Sequence, residues 1–131
     1  MPRWRSDFAN WTSLDELTFK VYIGMAIKRK PHHNLAAVRA KFAQVETLEI
    51  TRTAVQGARA LGYSLGDIVE VVQALEAGDF IKSETAHNPP NSKVWHDTYN
   101  MPWDQRWLYL KFAGETLIDV ALTSFKEVGN D

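Results

Sequence analysis

The chain has 131 residues, of which 45% are hydrophobic and 24% charged, a composition typical of one globular domain with an adequate core. It contains no cysteine, which excludes disulfide scaffolds, thiolate metal sites and cysteine nucleophiles. The net charge of -1 does not point to nucleic acid, and the most apolar run, VYIGMAI, is far too short to span a membrane. We therefore expect a cytoplasmic protein without membrane contact.

Residues 1–27 lack a long periodic pattern, and we interpret them as an extension to a single domain that covers residues 28–131. That domain begins with a basic run, KRKPHHNLAAVRAK, which carries five Lys or Arg residues and no acid. Such a run can contact phosphate groups, although a solvated, positively charged helix start is the alternative interpretation. The candidate contacts are Lys28, Arg29 and Lys30.

Three amphipathic helices are predicted next along the chain. The first, NLAAVRAKFAQVE, has Asn34 as its N-cap, and the second, TRTAVQGARALGY, is terminated by Gly62. The third, SLGDIVEVVQALEAGD, begins with a capping box of Ser64 and Asp67 and ends at Gly78. The apolar residues at helical spacing, predicted to face the core, are Leu35, Val38, Phe42, Val45, Ala54, Val55, Ala58, Leu61, Leu65, Ile68, Val71, Val72 and Leu75.

After Gly78 the apolar residues alternate, which predicts four strands: DFIKSETA, KVWHDTY, QRWLYLKFA and TLIDVALTSFKE. The connections contain NPPN, NMPWD and GE, which are turn or loop signals. Connections this short imply antiparallel neighbours. Helices followed by a run of strands predict an α+β fold.

Alternation assigns the strand side chains to two faces. The residues predicted to face the core are Ile81, Trp95, Leu108, Leu110 and Phe112. The residues predicted to face outward are Phe80, Lys82, Glu84, Val94, His96, Thr98, Trp107, Tyr109 and Lys111. Both faces of the fourth strand contain apolar residues, and Lys126 lies at its polar end.

The outward residues include side chains suited to phosphoryl chemistry. A polar outer face needs no function, because antiparallel sheets are often solvated on one side. A ribonuclease, however, needs no metal: RNA supplies the 2′-hydroxyl nucleophile, and the protein supplies a base, an acid and cations. His96 could be the base or the acid, Tyr109 could donate a proton, and Lys82 is an alternative base if its pKa is lowered. The candidate RNA contacts on this side are Tyr99 and Trp107, which could stack on bases, and Lys111.

Other chemistries have weaker support. His32 and His33 are adjacent and have no further ligand at metal-binding spacing. The chain has no glycine-rich phosphate loop, and Ser64 of GYSLG is better explained as a helix cap than as a nucleophile. We therefore expect no metal and no cofactor.

Five short motifs, KRKPH, DFIKS, VWHDTY, LYLK and SFKE, occur in the order and near the spacing of a known family, over about residues 28–127. The chain resembles the bacterial MqsR-family mRNA interferases, the toxins of type II toxin–antitoxin pairs. The resemblance implies a RelE-like fold with helices packed on a curled antiparallel sheet, metal-independent cleavage of mRNA, and a DNA-binding antitoxin encoded beside the toxin. By motif, its catalytic positions are Lys82, His96, Tyr109 and Lys126.

The chain departs from this family pattern at several points. His96 stands where the pattern holds an amide, and Glu84 replaces an apolar residue. The loop AHNPPNSK is longer than usual, and the residues before Lys28 lie outside the pattern. The alternatives to a ribonuclease are an RNA-binding module without turnover and a protein-interaction module, both using the same sheet face.

Overall fold

A computed structural model describes residues 27–87 and 89–129. These residues form an α+β fold, as predicted, whereas the predicted extension lies outside them apart from Ile27. The α-helices are α1 (Leu35–Lys41), α2 (Arg52–Ala60) and α3 (Leu65–Gln73), and two 3-10 turns span Val45–Thr47 and Ala77–Asp79. The strands are β1 (Ile27–Lys28), β2 (Phe80–His87), β3 (Pro90–Trp103), β4 (Arg106–Gly114) and β5 (Ala121–Glu127).

The five strands form one open sheet in the order β1-β2-β3-β4-β5, and every neighbouring pair is antiparallel. The segment before α2 adds to the outer side of β5. There the amide of Leu122 donates to the carbonyl of Glu49 at 2.8 Å, and the amide of Thr51 donates to the carbonyl of Leu122 at 3.0 Å. No helix within the described ranges is long and apolar enough to cross a membrane.

Side chains that cap the helices determine where they begin. Asn34 Oδ1 accepts the amide proton of Ala37 at 3.0 Å at the start of α1. Ser64 and Asp67 form a reciprocal capping box at the start of α3, with distances of 3.1 and 2.8 Å. Gly62 follows α2 with a φ of +88°, a conformation that favours glycine. These predicted caps and the predicted terminator are confirmed.

Two helices end earlier than the sequence predicted. α1 stops at Lys41, and Val45, placed in the core by its spacing, is 40% exposed in the first 3-10 turn. α3 stops at Gln73, whose side-chain amide donates to two carbonyl groups at the end of α1, at 2.8 and 3.1 Å. Gly78 therefore does not end α3 but lies in the second 3-10 turn.

The core lies between the helices and one face of the sheet. α2 approaches β5 so closely that a Cβ atom on Gly57 would lie 2.0 Å from the carbonyl oxygen of Phe125. This contact requires glycine and fixes α2 over β5. The largest core side chains are Phe42, Ile68, Leu75, Tyr99, Met101, Leu108, Leu110, Phe112, Leu122 and Phe125.

β2 departs from the predicted alternation at its first residues. The register shifts between Phe80 and Lys82, which places Ile81 in a bulge. Phe80 packs against the core, with its ring edge-to-face at 5.7 Å from that of Tyr99, and Ile81 is only half-buried. The assignment of Ile81 to the core and of Phe80 to the outside is wrong, because the extra residue of the bulge exchanges the two faces.

β3 is longer at both ends than predicted. The segment NMPW, predicted as a loop, continues the strand, and the turn to β4 consists of Asp104 and Gln105, with φ angles of 53° and 60°. At the other end β3 begins at Pro90, which pairs with His87 of β2. Most of the predicted loop AHNPPNSK therefore belongs to the two strands, which form a long hairpin.

Candidate active site on the open face of the sheet

Strand register gathers the predicted catalytic side chains on the face that is turned away from the helices. Directly paired residues of antiparallel strands point to the same side of the sheet. Lys82 pairs with Thr98, and Thr98 pairs with Lys111, which makes a row across β2, β3 and β4. One row further along, Glu84 pairs with His96.

A third row lies on the other side of the Lys82–Lys111 row. It contains Tyr109, which pairs with Asn100 of β3 and with Lys126 of β5. Consecutive rows are two residues apart, which is roughly 7 Å along a strand. We call this surface the open face and define it by Lys82, Glu84, His96, Trp107, Tyr109, Lys111 and Lys126.

The Tyr109–Lys126 pair is in direct contact. Lys126 Nζ lies 5.2 Å from the centroid of the Tyr109 ring, on β5 next to β4. Lys126 therefore belongs to the open face through its register. Trp107, two residues from Tyr109, continues this face toward the turn between β3 and β4 and is half-buried.

Lys82 has an anionic neighbour on its own strand. Its Nζ atom lies 3.4 Å from Glu84 Oε1, and the two side chains are 44% and 17% exposed. The departure seen in the sequence at Glu84 thus has a structural consequence. The ammonium group of Lys82, a predicted catalytic residue, is paired with a carboxylate within the same face.

His96 lies in an environment that disfavours its protonated form. Burial lowers its pKa from the usual value of 6.5, and the nearby Lys111 ammonium lowers it further, while the Glu84 carboxylate opposes these effects. The imidazole is consequently neutral at pH 7 and can accept a proton. This is the protonation state that a general base requires.

Tyr99 does not lie on the open face. It is 1% exposed and packs on the helix side between Phe80 and Phe112, with ring centroids 5.7 and 5.9 Å away. Burial raises the pKa of its hydroxyl well above the usual range. The prediction that Tyr99 stacks on an RNA base is therefore wrong. The alternation that placed Trp95 on the helix side places Tyr99 there as well.

Lys28 also lies away from the open face. It pairs with Ser83, whose side chain points to the helix side, and its Nζ atom is 4.1 Å from the centroid of the Trp95 ring. The same Nζ atom lies 3.1 Å from His32 Nδ1. Of the other two basic residues predicted to contact RNA, Arg29 is half-buried and Lys30 is exposed.

A buried polar cluster on the helix side was not predicted. The Asp97 carboxylate accepts hydrogen bonds from the amides of His32 and His33, at 3.1 and 2.9 Å, and from Ser83 Oγ at 2.5 Å. The His32 ring stacks on Trp95, with centroids 5.2 Å apart. Sequence could have indicated this cluster, because Asp97 shares the parity of core residues and a buried carboxylate needs donors.

The two histidine rings of this cluster form hydrogen bonds with different backbone carbonyl groups. His32 Nε2 lies 3.1 Å from the carbonyl oxygen of Glu115, and His33 Nε2 lies 3.1 Å from that of Gly114. Burial lowers the pKa of His33, against the opposing effect of Asp97. Within residues 27–87 and 89–129, no three His, Asp or Glu side chains are grouped so that they could hold a metal ion. The cluster joins the segment before α1 to the sheet.

A comparison with known proteins identifies the family of the chain. No curated protein matches the chain. A family model described as "Motility quorum-sensing regulator, toxin of MqsA" matches residues 30–127, which include every residue of the open face. The chain therefore belongs to the motility quorum-sensing regulator family and is a toxin of a toxin–antitoxin pair, whose antitoxin in this family is MqsA.

Proposed function

We propose that this toxin is a metal-independent endoribonuclease that cleaves mRNA through attack of the 2′-hydroxyl group on the adjacent phosphate. The observation that carries the proposal is the order of the three rows on the open face. The Lys82–Lys111 row lies between His96 on one side and the Tyr109–Lys126 pair on the other. Cations in the middle and proton-transfer groups on both sides are what an in-line displacement at phosphorus needs.

Proton transfer then divides between the two outer rows. His96 accepts the proton of the 2′-hydroxyl while the 2′-oxygen forms its bond to phosphorus. The bond from phosphorus to the 5′-oxygen breaks, and that oxygen takes the proton of the Tyr109 hydroxyl. The products are a 2′,3′-cyclic phosphate and a 5′-hydroxyl end. Lys82, Lys111 and Lys126 stabilise the negative charge that develops on the phosphate.

The rest of the substrate lies along the same surface in this proposal. Trp107 provides an aromatic side chain beside the Tyr109 row, on which a base of single-stranded RNA stacks. Arg29 and Lys30 are further candidate contacts for the RNA backbone. Since single-stranded mRNA offers both free bases and phosphates, it fits this surface better than duplex RNA does.

The protonation state of His96 supports RNA cleavage rather than RNA binding without turnover. A module that only grips phosphate benefits from a protonated imidazole, because the added charge strengthens the contact. Burial and Lys111 instead keep His96 neutral. This supports a proton acceptor at this position.

Cleavage in the presence of EDTA tests the proposal. Purified toxin incubated with a single-stranded oligoribonucleotide should give fragments with 2′,3′-cyclic phosphate and 5′-hydroxyl ends, and a 2′-O-methyl group at the scissile nucleotide should prevent the cut. Tyr109→Phe and Lys126→Met should lower the rate, whereas Lys93→Met, an exposed lysine on the hairpin, serves as the matched control. RNA that is bound but never cut would favour the non-catalytic module.

A growth assay addresses the biological role. Expression of the toxin alone should arrest growth and deplete mRNA, and co-expression of the antitoxin should restore both. We expect the antitoxin to be a DNA-binding protein encoded in the neighbouring gene. Normal growth and intact mRNA without the antitoxin would contradict the proposed activity.

A further inference from the structure

Glu84 lies beside both Lys82 and His96, the cation and the base of the proposed reaction. Along β2 its carboxylate reaches the Lys82 ammonium at 3.4 Å. Across the strands it is the direct partner of His96, and the Cβ atoms of such pairs are about 4.5–5.5 Å apart. On its other side it pairs with the apolar Ile27 of β1. The carboxylate thus has one cationic and one titratable neighbour.

Glu84 is also the anion best placed to act on His96. The charged and titratable groups around the imidazole are Lys82, Glu84 and His87 of β2, Lys111 of β4 and Asp97 of its own strand. Asp97 points to the helix side, where both of its oxygens already accept hydrogen bonds from the amides of His32 and His33. Glu84 alone among these anions lies on the open face with His96.

A carboxylate fixed on Lys82 would work against the proposed reaction. It would neutralise the ammonium that should hold the phosphate, and it would repel the phosphate itself. Both disadvantages disappear if the carboxylate leaves Lys82 when RNA arrives. The partner available to it across the strands is the His96 imidazole, which becomes positively charged as it takes the 2′-hydroxyl proton.

We propose that Glu84 is a positioning residue that exchanges partners: it pairs with Lys82 while the site is empty and turns to His96 when the RNA phosphate takes the Lys82 ammonium. This inference rests on the proposed ribonuclease function. The exchange makes His96 a stronger base when substrate is bound than when the site is empty. It also supplies a counter-ion for the imidazolium that proton transfer creates, as carboxylates do for other catalytic histidines.

The exchange can be measured without any activity, through the pKa of His96 in the free protein. Histidine ring signals in NMR titrations report this value, and the His96 signal among the four histidines is identified by its loss in His96→Gln. Four proteins form a double-mutant cycle: wild type, Glu84→Gln, Lys82→Met and the variant with both changes. Each substitution lies at a partly exposed strand position and preserves the approximate side-chain length, and thermal melts verify folding.

Partner exchange predicts that Glu84→Gln changes the pKa of His96 by different amounts in the presence of Lys82 and in the Lys82→Met variant. With Lys82 present, the change should lower the pKa of His96 by less than about 0.5 unit, because the carboxylate is held on the lysine. In the Lys82→Met background the carboxylate is released to His96, and its removal should lower the pKa by about 1 unit. Equal shifts in both backgrounds would overturn the inference, since they describe a carboxylate that stays in place.

A bound RNA analogue gives the second measurement. A 2′-O-methyl oligoribonucleotide, which cannot be cut, should raise the pKa of His96 more in the wild type than in Glu84→Gln, because phosphate releases the carboxylate only in the former. In cleavage assays Glu84→Gln should lower kcat and also lower KM, since Lys82 is freed for phosphate. Equal rises in the two proteins would refute the exchange. A protein that neither binds nor cuts RNA would refute the ribonuclease and with it the RNA-driven exchange. The cycle in the free protein would still decide whether Lys82 holds the Glu84 carboxylate away from His96.

Discussion

Replacing His96 with glutamine tests which side chain takes the proton of the 2′-hydroxyl. Because burial and Lys111 lower the pKa of His96 below 6.5, the neutral imidazole predominates at pH 7 and is available as a base. Glutamine removes the titrating group and keeps a polar side chain. If His96 is the base, kcat should fall by about 10²–10⁴-fold. This loss corresponds to about 3–5 kcal/mol of transition-state stabilisation.

The pH dependence of the cleavage rate shows in which protonation state His96 acts. Only neutral imidazole accepts a proton, so the rate should rise with pH as His96 deprotonates and then level off. Since the pKa of His96 is lowered, the midpoint of this rise should lie on the acidic side of 6.5. In His96→Gln the rise should be absent.

Single-turnover cleavage of a labelled oligoribonucleotide, measured from acidic to basic pH, separates the chemical step from product release. Binding of the 2′-O-methyl analogue, followed by fluorescence anisotropy, shows whether the variant still holds RNA. Lys93→Met should retain the wild-type profile. A fully active His96→Gln with an unchanged pH profile would refute this reasoning and give the role of base to Lys82.

Three further substitutions test the site and the fold. Lys111→Met removes the second cause of the low pKa of His96, so the acidic rise of the pH–rate profile should move to higher pH; an unmoved profile would mean that Lys111 does not act on the imidazole. Gly57→Ala brings a methyl group against the backbone of Phe125, so thermal melts should show a free energy of unfolding lowered by about 1–3 kcal/mol. This loss exceeds the gain from the higher helix propensity of alanine. Asp97→Asn removes a buried, charge-assisted acceptor of three hydrogen bonds, so chemical denaturation should show a loss of about 3 kcal/mol. Unchanged stability of either of these two variants would contradict the corresponding packing argument.

The parts of the fold that sequence predicted are those in which local rules act alone. The capping box of Ser64 and Asp67 depends on two side chains and the first turn of one helix. β4 alternates without interruption, so Leu108 and Tyr109 fall on the faces that alternation assigned. The open face followed from the same rule, which holds for His96 and for Lys82 beyond the bulge.

The errors arose where tertiary contacts override local rules. A bulge leaves no distinct residue signature in this chain, so Ile81 and Phe80 were assigned to the wrong faces. The turn between β3 and β4 is built by Asp104 and Gln105, which adopt positive φ without a glycine, so the sequence placed the turn too early. The end of α3 depends on contacts of Gln73 with α1, which no local pattern contains.

The open face and the buried cluster around Asp97 lie on opposite sides of the sheet and are connected through β3. His96 and Asp97 are consecutive residues, so their side chains point to opposite faces of the strand. On the helix side, Asp97 ties β3 to Ser83 of β2 and to the segment before α1. On the open face, the register held by those bonds determines where His96 stands relative to Glu84 and Lys82. A slip of one residue would send His96 to the helix side and Asp97 into the site. The buried carboxylate therefore contributes to the site as well as to stability, because it fixes the strand register on which the three rows of the open face depend.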